Sequence, residues 1–253
     1  MFGLAGETEF DLRFYLFGIP VRVHPMFWLS SAWMVWAGEA FDLTAIGVLC
    51  IFLSVLVHEL GHAWYIRKFG YPSEIVLYFF CGYATSSHFP FWRRIIVSAA
   101  GPGAGLILGV ICYLLFRFLP DNIIAQYLHV RYFLFMMMFA GIIVNLLNLI
   151  PCLPLDGGQI MGAIVRRYGP PGRQNEELIY KISIAVAGAV AVWAAICLNK
   201  EQMFFPRWLF TWLPAQDANL LYMLQPSARF EMIFMGYLCA SNINALNQYR
   251  SWR

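Results

Sequence analysis

The sequence predicts an all-α polytopic membrane protein: about six transmembrane helices with a short re-entrant β-hairpin or edge strand. Three observations predict it. Of 253 residues, 60% are hydrophobic and 12% charged, whereas soluble domains hold about 45–50% apolar and about 25% charged residues. Apolar runs of membrane-crossing or nearly membrane-crossing length lie near 23–37, 43–66, 95–118, 131–150 and 177–198, with a weaker one near 229–247. Segments 1–22, 67–94, 166–181 and 248–253 hold 12 Lys and Arg residues, and the alternate segments 38–42, 117–131 and 199–229 hold 5. Basic residues favour the cytoplasmic side, so both termini and the 67–94 loop are expected there. Six crossings fit that count; five would put the C-terminus outside. A net charge of +3, scattered along the chain, gives no footprint for nucleic acid.

Residues 1–20 carry Glu7, Glu9 and Asp11 where a signal peptide needs a basic region and an apolar core. The first span is therefore expected to act as the insertion signal. It is short, but Phe27, Trp28, Trp33 and Trp36 suit a helix that reaches both interfaces. His24 reads as an interfacial residue at its start. The second span holds only Thr44 and Ser54 as hydroxyls between Leu43 and Val57, and then reaches His58-Glu59-Leu60-Gly61-His62. Residues 75–87, IVLYFFCGYATSS, follow Tyr71-Pro72 and are rich in β-branched and aromatic types, so they predict strand. A strand at membrane depth is tolerated only where protein or a water-filled cavity covers its edges.

The third span opens SAAGPGAGLILG, in which Gly101, Gly105 and Gly109 share one helix face and allow close packing. Pro102 is expected to bend that helix or to sit in its first turn. His129 reads as a loop residue. The last run contains Ser241, Asn242 and Asn244 and either crosses the bilayer or lies on its surface. The cysteines at 50, 81, 112, 152, 197 and 239 never form Cys-x-x-Cys and are expected to be free, buried thiols.

Two imidazoles four residues apart on a helix share one face, so His58 and His62 can bind one ion. Glu59 beside them is placed to take a proton from water, the pattern of a zinc hydrolase. Gly61 removes a side chain where another backbone can approach. Ionisable groups inside a membrane are costly and mark function. Catalytic zinc usually takes three protein ligands, so a third is needed. The short continuation with a third His is excluded, because Tyr65 and Lys68 stand where Gly and His are required. Glu74 follows Tyr71-Pro72 and reads as solvated, and Asp121 and Asp217 read as loop residues. Asp156, in NLLNLIPCLPLDGGQIMG, is the next acidic residue in an apolar setting. Pro151 and Pro154 stop regular helix there, and Gly157-Gly158 permits a tight turn. A carboxylate on broken helix in the membrane needs a cation, which zinc would supply. Cys152 lies four positions before it and reads as a packed small residue, and His88 as a candidate for lining a water path.

HELGH at 58–62, with Asn148-x-x-Pro151-x-x-Pro154-x-Asp156-Gly157, resembles the site-2 protease family of intramembrane zinc metalloproteases. GIPVRVHPMFWL, CGYA, AAGP and LDGG follow in the matching order, and the resemblance covers roughly residues 18–165. It implies that His58, His62 and Asp156 bind one Zn2+ per chain and that Glu59 is the general base. It also implies that Asn148 lies near the substrate or oxyanion. The strand-like segment, including Cys81, Gly82, Tyr83 and Ala84, then supplies an edge on which an unwound substrate pairs. Similar proteins often carry Asn three residues after the Gly-Pro of the third span, where this chain has Gly105. A polar contact is therefore missing or supplied elsewhere. The spacing from His62 to Asp156 leaves no room for a PDZ domain, and the residues after Asp156 leave too little for paired CBS modules. A single membrane-embedded domain is expected, with its core at about 18–165 and added helices over 177–247.

The resemblance implies hydrolysis of a peptide bond in or near the transmembrane segment of a single-span membrane protein. The expected location is a cell membrane of the bacterial inner-membrane type, with the site toward the cytoplasm. Two rivals remain open in the sequence. A divalent-metal transporter would use His58, Glu59 and His62 as a transit site, but it should carry further metal-binding residues on a neighbouring span, and only Asp156 offers one. A catalytically silent membrane scaffold is the other.

Overall fold

A computed structural model describes residues 6–36, 38–79, 81–84, 89–120, 127–206, 208 and 227–251, with 81–84 described by their backbone alone. His88, Asp121, Asp217 and the 85–87 end of the strand-like segment lie outside the described residues. The chain forms two compact units, Met1–Asn145 and Leu146–Arg253.

The first unit opens with a hairpin absent from the sequence expectations, β1 (Leu12–Leu16) and β2 (Ile19–Val23). Strict antiparallel register from Leu12↔Val23 to Leu16↔Ile19 leaves Phe17 and Gly18 as a two-residue turn. Both have positive φ, 51° and 73°, as turns matching the right-handed strand twist require. Arg67 Nη1 donates to the Phe17 carbonyl at 3.2 Å. Asp11 anchors the strand entry. Burial opposes ionisation of its carboxyl, but hydrogen bonds from Thr8 and Arg22 outweigh burial and hold it at about 2. A carboxyl depressed in the folded state stabilises above its unfolded value of 3.8, and that contribution fades as pH falls through the folded value. Amide exchange across β1 and β2 is therefore expected to quicken, relative to the helices, as pH falls from about 4 to about 2.

The strand-like segment forms β3 (Ile75–Tyr78) and β4 (Cys81–Ala84), paired antiparallel. β2 pairs parallel with β3, from Val21↔Ile75 to Val23↔Leu77, giving the sheet order β1-β2-β3-β4 with β4 at one edge. Ile19, Val21, Val23, Ile75 and Leu77 are fully buried in a core shared with Phe27, Leu56 and Ala63.

Between β2 and the second span lies α1 (Pro25–Met34), ten residues capped by His24, whose Nδ1 accepts from the Met26 N–H at 3.1 Å. The expected span at 23–37 is thus a shorter helix, about 15 Å long, because the chain is still extended to Val23. The long helix α2 (Phe41–Lys68) follows and ends in Arg67 and Lys68. β3 leaves from that basic end, and β2 pairs with β3 there. Residues 24–40 must therefore carry the chain from one end of α2 to the other.

α3 (Phe91–Phe118) begins earlier than expected, so Pro102 lies inside the helix and not in its first turn. α4 (Leu128–Asn148) contains a π-helical stretch, Phe139–Val144. His129 belongs to its first turn, not to a loop, and bonds Asp42 Oδ2 at 2.6 Å. The stripe of small residues on α3 packs closely, as expected. A Cβ on Gly109 would meet the Gly141 carbonyl carbon of the π-helical stretch at 2.8 Å, and one on Gly141 would meet Gly109 Cα at 2.5 Å.

In the second unit, α5 (Asp156–Tyr168), α6 (Arg173–Asn199) and α7 (Ala228–Ser251) follow the end of α4. α7 runs antiparallel to α6: Arg250 pairs with Glu177 at 3.0 Å, and Cys239 Sγ donates to the Ile184 carbonyl at 3.6 Å. Among the described residues α2, α3, α4 and α6 are long and apolar enough to cross a membrane. The chain is a multi-pass integral membrane protein. Cys50, Cys112, Cys152, Cys197 and Cys239 are free thiols, the first four buried.

Candidate metal centre

His58, Glu59 and His62 lie in the C-terminal half of α2, with His58 roughly 14 Å along the axis from Arg67. Glu59 is 4% and His62 8% exposed, so the apolar helix does carry its ionisable groups inward. Two neighbours fix the rings. His62 Nδ1 lies 2.7 Å from the Val97 carbonyl of α3. A carbonyl only accepts, so Nδ1 carries the proton and Nε2 the lone pair. His58 Nδ1 lies 2.8 Å from Asn145 Oδ1. The amide orientation follows from its other end, where Asn145 Nδ2 donates to the Ala140 and Gly141 carbonyls at 3.0 and 3.1 Å. Oδ1 therefore accepts from His58, which leaves the lone pair on His58 Nε2 as well.

The two Nε2 atoms face each other at 3.1 Å, with the rings nearly perpendicular at 80°. Two lone pairs at that separation repel unless a cation draws on both. Bond lengths of about 2.1 Å to a tetrahedral zinc put neighbouring nitrogens about 3.4 Å apart, so the pair is already close to the spacing a metal needs. Small residues make the arrangement possible. A Cβ on Gly61 would strike the Ala100 carbonyl, and one on Gly101 would fall on the His62 ring. At Gly105 a Cβ would fall on the Asn145 amide. The glycine stripe of α3 thus does more than pack a helix, since two of its three members make room for the side chains around the histidines.

Asp156 is the first residue of α5, after a turn through 149–155 that contains a cis Leu153-Pro154 bond. Asn148 Nδ2 donates to Asp156 Oδ2 at 2.6 Å. The turn is braced on both sides of one residue. The Leu153 N–H donates to Ser183 Oγ at 3.1 Å, and Asn242 Nδ2 donates to the Leu153 carbonyl at 2.8 Å. Asn242, which weakened the last run as an apolar span, is thereby a buried polar residue with partners. Cys152 is fully buried with Ala187, Met235 and Leu238, as expected of a packing residue.

Gly157 and Gly158 do not form a tight turn. Both are helical, without positive φ, and their bareness admits the incoming loop. A Cβ on Gly157 would strike the Leu149 carbonyl, and one on Gly158 would meet the Leu153 nitrogen at 2.5 Å. Gly→Ala inside a helix ordinarily stabilises by about 1 kcal/mol. Gly157→Ala is expected to reverse that sign and cost about 2–3 kcal/mol through backbone overlap, read as a lowered unfolding midpoint in detergent.

His58, His62 and Asp156 make up a group able to hold a metal ion. Two imidazole nitrogens and a carboxylate oxygen make a donor set that fits zinc. Among the described residues the other two histidines stand apart. His24 packs its ring against Tyr78 at 4.9 Å, and His129 is tied to the opposite end of α2. β4 lies at the sheet edge, as expected of 81–84, whose side chains lie outside the described residues. Sequence reading missed Asn145, Val97, Ser183 and Asn242. For Asn145 a signal existed: a polar residue in an apolar span, three positions before Asn148.

Comparison with known proteins bears on the family and the fold. A zinc metalloprotease of Methanocaldococcus jannaschii is 31% identical over 160 residues, which cover 62% of this chain and 46% of that protein. A relative from Synechocystis sp. is 28% identical over 201 residues, 73% of this chain and 50% of its own. The chain thus spans about half the length of these relatives. The solved site-2 protease from Methanocaldococcus jannaschii shares the fold, with a TM-score of 0.54 over 88% of this chain and 95% of that one, at 23% identity. The sequence profile of Peptidase family M50 matches residues 46–127 and 120–190. That match takes in HELGH, the glycine stripe of α3 and the Asp156 turn within more than half of the sequence, and the chain belongs to peptidase family M50.

Proposed function

We propose that this protein is an intramembrane zinc endopeptidase that cuts a peptide bond in or near the transmembrane segment of a single-span membrane protein. The observation that carries the reading is the pair of Nε2 lone pairs held 3.1 Å apart beside buried Glu59. His58, His62 and Asp156 would hold the zinc. When bound, zinc would acidify water toward a pKa of about 7 and polarise the peptide carbonyl. Glu59 takes the proton from the attacking water and returns it to the leaving amine. Asn148 holds the Asp156 carboxylate in place and lies beside the oxyanion. The turn of 149–155, braced by Ser183 and Asn242, keeps that carboxylate oriented.

A helical substrate must unwind before its peptide bond can be attacked. Cys81, Gly82, Tyr83 and Ala84 lie on the edge strand, and their outward backbone groups would pair with the extended substrate and compensate its lost hydrogen bonds. Six crossings fit the pairing of β2 with β3, through residues 24–40, α2, α3, α4, α6 and α7. The core of about 18–165 and the helices over 177–247 then act as one membrane-embedded protease, with both termini and the site toward the cytoplasm of a bacterial-type cell membrane. Comparing membrane proteomes of cells that carry the wild type or Glu59→Gln tests the reading. Single-span proteins should accumulate uncut with the variant. Identical proteomes, with zinc bound in both, would favour a silent scaffold, and altered metal flux without cleavage a transporter.

A further inference from the structure

We infer that Asn145 is a positioning residue for the metal: it selects the tautomer of His58 that turns a lone pair toward the ion. The inference rests on the reading that His58 binds zinc. His62 has its tautomer fixed by a backbone carbonyl, a group that can only accept. His58 Nδ1 meets a side-chain amide, which can present either oxygen or nitrogen. An amide turned the other way would donate to His58 Nδ1 and force the proton onto Nε2, where it would block the metal. The Ala140 and Gly141 carbonyls prevent that turn, since both accept from Asn145 Nδ2. They belong to the π-helical stretch Phe139–Val144, a departure from regular helix of the kind found at functional sites.

The seat of the amide is cut to shape. Asn145 is 2% exposed, and a Cβ at Gly105 would overlap its nitrogen, carbon and oxygen. Gly105 therefore keeps open the volume that the amide fills. Gly109, one turn further along α3, and Gly141, within the π-helical stretch itself, let that stretch lie close enough for the amide to reach α2. A chain of fixed acceptors thus runs from two backbone carbonyls through one amide to the imidazole. Ligand-orienting partners of this kind typically change metal affinity by about 10–100-fold.

The test uses the full chain in detergent, with selectively 15N-labelled histidine and zinc affinity measured against a competing chelator. In metal-free wild type, the nitrogen shifts of His58 should report a protonated Nδ1 and a bare Nε2. Asn145→Leu should give a mixture of tautomers at His58 alone and weaken zinc binding about 10–100-fold. Gly105→Ala, which displaces the amide without altering it, should shift both readouts in the same direction and keeps the test decisive where Asn145→Leu does not fold. Wild-type zinc affinity in the variants overturns the inference, as does weaker binding with an unchanged His58 tautomer. Wild type that binds no zinc overturns the functional reading instead.

Discussion

Glu59→Gln protein is expected to keep one zinc per chain while cleaving its substrate about 10³–10⁴-fold more slowly. Gln has nearly the shape of Glu, so a site that is 4% exposed keeps its packing and the two histidine rings keep their contacts. What disappears is the capacity to accept a proton. Glu59 is asked to act twice, first on the attacking water and then on the leaving amine, so the loss belongs at the upper end of the range for general acid–base catalysis. The measurement pairs metal content with single-turnover cleavage of a membrane protein recovered from the proteome comparison. Cleavage within about threefold of wild type would remove Glu59 from the chemistry. Loss of zinc would instead make it a structural neighbour of the metal.

The same residues show how far a sequence can be read. HELGH was legible because i and i+4 on a helix always share a face, whatever the tertiary fold. Asp156 was legible because a carboxylate beside prolines in an apolar run has few affordable surroundings. Elements whose reason lies in distant contacts were not legible. The hairpin β1–β2 reads as LRFYL and IPVRV, but its turn places Phe17 at positive φ, where Gly or Asn would have announced it. Asn145 showed only as a polar residue in an apolar span and not by its role, since its partners are carbonyls in its own helix and an imidazole on another. Asn242 argued against a span only until its acceptors at Leu153 and Leu238 were in view. Gly157-Gly158 carried the right residues and suggested the wrong reason: a glycine that admits a neighbour's backbone looks, in sequence, like one that bends its own.

That ambiguity gives Gly101→Ala its value as a prediction. Position 101 is helical, so the propensity rule alone favours Ala by about 1 kcal/mol. The added Cβ would fall on His62, overlapping its Nε2, Cε1 and Cδ2. The ring has little freedom to yield, because its Nδ1 is held at 2.7 Å by the Val97 carbonyl on the same helix, one turn earlier. Nor can α3 retreat cheaply, since the Ala100 carbonyl already rests where Gly61 lacks a side chain. Either His62 gives up the Val97 carbonyl, or α2 and α3 part along a closely packed face. Both outcomes disturb the metal, and zinc affinity is expected to fall about 100-fold or more, the upper end of what a ligand-orienting contact contributes. Gly103→Ala is the matched control: it lies two residues away on the same helix, with nothing within 4 Å of its added Cβ. It should bind zinc as wild type does and unfold no more easily. Chelator competition and thermal unfolding on the two variants, side by side, decide the matter. Equal zinc affinity would mean that the His62 ring does not depend on the bare face of α3, and the glycine stripe would then be packing alone.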